Sequence, residues 1–133
     1  MPIDPALLTR SIAALTDRDP ERDLASTLEQ AVLAAKQLFM VDAAGIMLVD
    51  NDGTLRSASA SDQRAQALED SQERFAAGPC AQAFSTGRPV VMRDATLEPR
   101  WGEVRHAFAE ARIRSGLSVP VRLDAGLIGT LDV

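Results

Sequence analysis

Residues 114–133 constrain the fold more than any other stretch of the chain. In Arg114-Ser-Gly-Leu-Ser-Val-Pro-Val-Arg-Leu123, the apolar Leu117, Val119, Val121 and Leu123 alternate with Ser118, Pro120 and Arg122. That period of two is the mark of a strand. Asp124-Ala-Gly126 then supplies a turn, because Gly accepts positive φ and Asp bonds to its local backbone. Beyond it, Leu127, Gly129, Leu131 and Val133 alternate with Ile128 and Thr130. Two strands and a short polar turn make an antiparallel hairpin. Both faces of the second strand are mostly apolar, which places it inside a sheet with layers on each side. Pro120 has no N–H to donate, so a bulge or an unpaired position is expected beside it. The strand signal runs to Val133 without a cap, which reads as a domain cut short of its natural end.

The remaining composition narrows the function classes. A chain of 133 residues, 46% hydrophobic and 25% charged, is long and apolar enough for one domain with a real core. A net charge of −5 argues against binding of nucleic acid or an anionic membrane by this stretch. Cys80 is the single cysteine, so neither an intramolecular disulfide nor a cysteine-based zinc site can form. Met1-Pro-Ile-Asp-Pro5 is no signal peptide, and no run is long and apolar enough to span a membrane. The expected setting is the cytoplasm.

Along the chain, Asp4-Pro5 opens a first helix with Leu8, Ile12 and Leu15 on one stripe. Residues 1–18 therefore read as an N-terminal helix that either forms a dimer arm or folds back on its own sheet; residues 19–133 form the domain body. Asp19-Pro20-Glu21 starts a longer helix carrying Leu24, Leu28, Ala31, Val32, Ala35, Leu38 and Phe39 at helical spacing. Residues 43–49 are an apolar run, Asp50-Asn-Asp-Gly53 a turn, and 55–60 a more polar edge strand. Ser61 or Asp62 caps a helix with Ala65, Leu68 and Phe75 facing inward. Gly78-Pro79 breaks it, a short helix runs over 80–86, and Gly87 ends that helix. A short strand at 89–92, a loop over 94–99 and a helix over 101–112 precede the closing hairpin; Trp101, Val104, Phe108 and Ala111 are the last helix's inner stripe. The order predicts an α+β fold, a five- to six-stranded antiparallel sheet between helical layers.

Gly78-Pro-Cys80, then Asp94…Pro99-Arg-Trp101, Arg114-Ser-Gly-Leu-Ser-Val-Pro-Val121 and Ile128-Gly-Thr-Leu131 carry a resemblance. In order and spacing the chain resembles the GAF domain that precedes an RNA-binding ANTAR domain in actinobacterial regulators. Ala77 departs from the acidic residue usual there. The resemblance implies a sandwich of the GAF/PAS kind with a small-molecule pocket on one side of the sheet. It also implies helices that pair with a partner subunit, and an antitermination output, through RNA, in a domain beyond Val133. GAF-type methionine sulfoxide reductases work with several cysteines, which one cysteine cannot supply. The Asn-Lys…Phe…Asp-Glu pattern of cyclic-nucleotide binders is absent, as is the motif flanking a bilin-bearing cysteine.

The candidate pocket lies between the sheet and residues 80–112, with Met47, Cys80, Phe84, Met92, Trp101 and Phe108 as its large or reactive lining; each is equally explained as core. Cys80 at a helix start has a route to a lowered thiol pKa, and Trp101 a face on which a planar ligand can stack. His106 is a lone imidazole without a partner set, so no metal and no haem are expected. Arg100, Arg105, Arg112 and Arg114 concentrate positive charge near one helix, balanced by Glu98, Glu103 and Glu110. No Gly-x-Ser-x-Gly, phosphate loop or His-Glu-x-x-His is present. The sequence thus points to a non-enzymatic, cofactor-free sensory or regulatory domain. It is expected to be homodimeric and to answer to a small molecule. The alternatives are a ligand-free dimerisation module and a redox sensor through Cys80.

Overall fold

The computed structural model describes residues 5–6, 20–124 and 126–133. The stripe of Leu8, Ile12 and Leu15, and with it the dimer-arm expectation, lies outside the described residues. The first long element is α1, Pro20–Phe39. Val32 and Ala35 on α1 meet Ala44 and Ile46, with Leu28, Ala31, Leu48, Leu131 and Val133 at the edge of the cluster. Leu24 and Phe39, expected on the same stripe, are 47% and 58% exposed. At about 1.5 Å per residue the helix spans roughly 30 Å, longer than the two short strands beneath it, so its ends overhang.

Strand β1, Gly45–Val49, and β2, Leu55–Ala60, form the first hairpin. Its turn is held by Asp50, whose carboxylate accepts from the backbone N–H groups of Asp52 and Thr54 at 2.9 Å each. Strands β3 (Val90–Met92), β4 (Gly116–Leu123) and β5 (Gly126–Asp132) complete a five-stranded sheet in the order β2-β1-β5-β4-β3, antiparallel throughout. The closing hairpin is central as its alternation requires, and the polar β2 is an edge. Pro120 pairs with Thr130; the irregularity expected there falls one residue on, between Val121 and Arg122.

Three helices cover the face opposite α1. Helix α2, Gln63–Phe75, starts at Asp62, whose carboxylate accepts from Ala65 N at 2.9 Å. Its buried line is Ala65, Leu68, Glu69 and Gln72, while Phe75 is 42% exposed beneath the Arg74 guanidinium. Phe75 was expected inside; the inward line at i, i+3, i+4 and i+7 instead passes through two polar residues. Helix α3, Pro79–Thr86, buries Pro79, Cys80 and Ala83. Helix α4, Gly102–Glu110, buries Val104 and Phe108 against Leu68, Met92 and Ala95. Among the described residues no helix is long and apolar enough to cross a membrane.

Gly129 sets the closeness of β5 to β1. A Cβ there would collide with the Met47 carbonyl and come within 3.0 Å of Leu48 Cα, both backbone atoms of the neighbouring strand. Neither can move without parting the ladder. Gly53, in the β1–β2 turn, has φ +80° but nothing near a would-be Cβ. Gly129→Ala is therefore expected to cost about 3 kcal/mol or more, or to prevent folding, and Gly53→Ala about 1 kcal/mol of backbone strain. Urea denaturation of the two variants checks the ranking.

Candidate functional site

A cavity of about 740 Å³ opens at one end of the sheet, between it and the helices α2, α3 and α4. Its walls come from residues 39–45, between the end of α1 and the start of β1, from Ala65, Leu68, Glu69 and Gln72 on α2, and from Pro79 and Cys80 on α3. Residues 91–93, Phe108, residues 112–118, Asp132 and Val133 complete them. The volume falls in the range of small-molecule sites. Gly45 lets α2 descend onto the sheet: a Cβ there would lie 2.5 Å from Glu69 Oε1.

The floor is polar. Glu69 is 2% exposed; its Oε2 accepts from the Ser57 hydroxyl at 2.7 Å, and its Oε1 has no partner. Burial pushes its carboxyl up to about 9, with the negative charges of Asp132, Asp70 and Glu73 adding to the effect and the Ser57 hydrogen bond opposing it. On the last strand, Asp132 Oδ2 accepts from Thr130 Oγ1 at 3.3 Å while Oδ1 is buried without a partner. Burial pushes Asp132 up to about 6, against the opposing hydrogen bonding of Cys80, Ser118 and Thr130. Between them, Ser118 Oγ donates to Cys80 Sγ at 3.4 Å, and Cys80 N donates to Gln72 Oε1 at 2.9 Å. Burial, with the neighbouring Asp132, raises the Cys80 thiol well above its ordinary range. The helix-start effect expected to lower it loses, because a buried sulfur beside a carboxylate has no water to carry its charge.

The sequence profile of the GAF domain family matches residues 21–133. The chain belongs to the GAF domain family. GAF domains are sensory and regulatory modules of signalling proteins. No curated protein matches the chain. Solved structures share its fold at low identity. The A. aeolicus nlh2 GAF domain, in an inactive state, superposes with TM-score 0.66 at 13% identity, over 96% of this chain and 75% of that one. The GAF domain of an Acinetobacter phosphoenolpyruvate-protein phosphotransferase gives 0.64 at 17%, over 96% and 73%. The free methionine-R-sulfoxide reductase of Neisseria meningitidis, in complex with its substrate, gives 0.61 at 22%, over 99% and 75%.

Within this GAF domain, Cys80, Met92 and Phe108 line the cavity, whereas Met47, Phe84 and Trp101 do not. Met47 is fully buried in β1, and Phe84 is half-buried on α3 away from its inner line. Trp101 precedes α4 with φ 65°, packs against the Leu68–Phe108 cluster and lies under the Arg100 guanidinium, 4.1 Å from the ring centroid. Arg100 in turn grips Glu98, with Nε to Oε1 at 2.7 Å and Nη2 to Oε2 at 3.0 Å, and Arg105 donates to the Glu98 carbonyl at 3.1 Å. Arg114 pairs with Asp94 at 3.4 Å. These arginines staple the loop before α4. His106 is exposed, and no group of three metal-ligating side chains occurs among the described residues. Glu69, Gln72, Ser118 and Asp132 were not singled out from the sequence; the signal for the first two was a polar pair on the inward line of α2.

Because the folded chain holds the Glu69 proton more tightly than the unfolded one, its contribution is fully present below about pH 4.5 and is lost as pH rises towards about 9. Asp132 behaves alike but finishes near pH 6. Between pH 6.5 and 8.5 Glu69 is thus the main source of decline, at most about 1.4 kcal/mol per pH unit. Glu69→Gln, which mimics the neutral acid, is expected to flatten the fall in Tm over that window and to melt higher than wild type at pH 8. Equal slopes would show that Glu69 titrates normally.

Proposed function

We propose that this domain is the sensory part of a regulator, in which a small molecule held between the sheet and helices α2, α3 and α4 controls an output domain. The cavity of about 740 Å³ with unpartnered polar atoms in its floor is the observation that carries this reading. Its walls are elements attached in different ways: three inner strands, β1, β5 and β4, that are paired on both edges, and three helices seated by side chains. A ligand that binds one seating of the helices better than another shifts their population, and that shift is the signal. The output we infer is an ANTAR-type RNA-binding antiterminator downstream of Val133, from the resemblance carried by Gly78-Pro-Cys80, Pro99-Arg-Trp101 and Ile128-Gly-Thr-Leu131. Such an output fits a cytoplasmic site of action.

The domain itself is read as non-enzymatic. Its one cysteine is buried and held protonated, a poor nucleophile and a poor redox centre. A homodimer is the proposed assembly. Leu33, Leu24 and Phe39 on α1 are exposed, and Val91, half exposed on β3, shares the α1-side face of the sheet with Leu117 and Val119. That apolar surface is also what favours the second reading, a ligand-free dimerisation module.

Native mass spectrometry of the protein purified from its own cells separates the two. The sensory reading expects extra mass, lost on denaturation, of a size that fits the cavity. A bare dimer, with resonances of Met92 and Phe108 unmoved by cell extract, would favour the dimerisation module.

A further inference from the structure

We infer that the cavity floor receives the protonated amine of a small amphipathic ligand, with Glu69 and Asp132 as the groups that bind its ammonium head. The inference rests on the sensory reading above and names the ligand chemistry for it. Four observations carry it. Glu69 is 2% exposed and lines the cavity, yet its Oε1 accepts no hydrogen bond. Asp132 lines the same cavity from β5; the Cys80 thiol and the Ser118 and Thr130 hydroxyls lie against its carboxyl, but its buried Oδ1 accepts no hydrogen bond. The described ion pairs, Arg56 with Asp50 and Glu73, Arg64 with Asp62, Arg100 with Glu98 and Arg114 with Asp94, leave both carboxyls out. The charged neighbours acting on Glu69 are Asp132, Asp70 and Glu73, all of them acids.

Two buried carboxyls with free acceptor atoms and no cation are a costly arrangement, because a desolvated acceptor loses its water without replacement. An ammonium has three N–H donors, enough for Oε1 and Oδ1, which both lie beside Gly45 at the β1–β5 pair, and its one positive charge offsets one carboxylate charge. An alcohol brings one donor and no charge. A carboxylate brings neither and adds repulsion. Above the floor the walls are Leu68, Met92, Phe108 and Ile113, which suit an aliphatic stem. Arg93, Arg112 and Arg114 also line the cavity, but all three are exposed and Arg114 is paired with Asp94, so solvent and salt weaken their repulsion of the head. Because burial keeps Glu69 protonated at neutral pH, seating an ammonium there makes Glu69 release its own proton to solvent.

Three six-carbon probes of equal stem test this by titration calorimetry on the full chain at pH 7: n-hexylamine, 1-hexanol and hexanoate. The expected result is hexylamine at least tenfold tighter than hexanol, hexanoate weakest, and net release of up to about one proton per hexylamine when buffers of different ionisation enthalpy are compared. Glu69→Gln and Asp132→Asn are each expected to cut the amine-over-alcohol preference at least fivefold and to leave hexanol affinity within twofold; circular dichroism confirms their folding. If either variant is unfolded, proton release by the wild type decides alone. Equal binding of hexylamine and hexanol, or a preference that survives both substitutions, overturns the ammonium site while leaving the cavity reading standing. Failure of all three probes to bind overturns both.

Discussion

The pairing of β5 on both of its edges is the constraint on which the molecule depends. β5 is bonded to β1 on one side and to β4 on the other, so the two hairpins are locked into one sheet. Gly129 makes that possible by letting the Met47 carbonyl approach where any side chain would block it. The same strand sends Leu131 into the α1 layer and Thr130 and Asp132 towards the helices on the other side. Core and cavity floor are thus alternate residues of one strand. A one-residue slip would exchange them.

That economy explains why the floor is chemically unusual. Thr130 and Ser118 are fully buried hydroxyls that hold Asp132 and Cys80, and Gln72 spends its carbonyl on the first N–H of α3. These bonds position the side chains but leave one oxygen of each carboxyl without a donor. A core built for stability alone would place an apolar residue at 69, since a buried, unpaired acid is a net cost. The cost is retained at one end of a cavity, beside helices seated on it through side chains, where a bound molecule can relieve it.

Most of the architecture was legible in the residues. Alternation over 117–133 and the Gly- and Asp-bearing turns specify both hairpins, because period two and turn chemistry are local properties. The capping of α2 by Asp62 and the break at Gly78-Pro79 were local in the same way. Which side of α1 faces the sheet was read only in its middle, since helix spacing does not say how long the surface beneath it is; Leu24 and Phe39 overhang for that reason. The lining of the candidate cavity was half legible. Cys80, Met92 and Phe108 were identified as large or reactive residues near the helices, but Met47, Phe84 and Trp101 share that character and pack elsewhere. Glu69 and Asp132 were missed because a carboxylate on a polar helix or near a chain end ordinarily meets water. Only the descent of α2 onto Gly45 brings the two acids into one buried floor, and no local pattern encodes that approach.

The account turns on those acids being buried and without a cationic partner. A carbon-13 NMR titration of the side-chain carboxyls, assigned through Glu69→Gln and Asp132→Asn, reads their protonation directly. It should find Glu69 changing near pH 9 and Asp132 near pH 6 in the purified domain without added ligand. Two ordinary titrations near pH 4 would contradict the buried floor and, with it, the site built upon it.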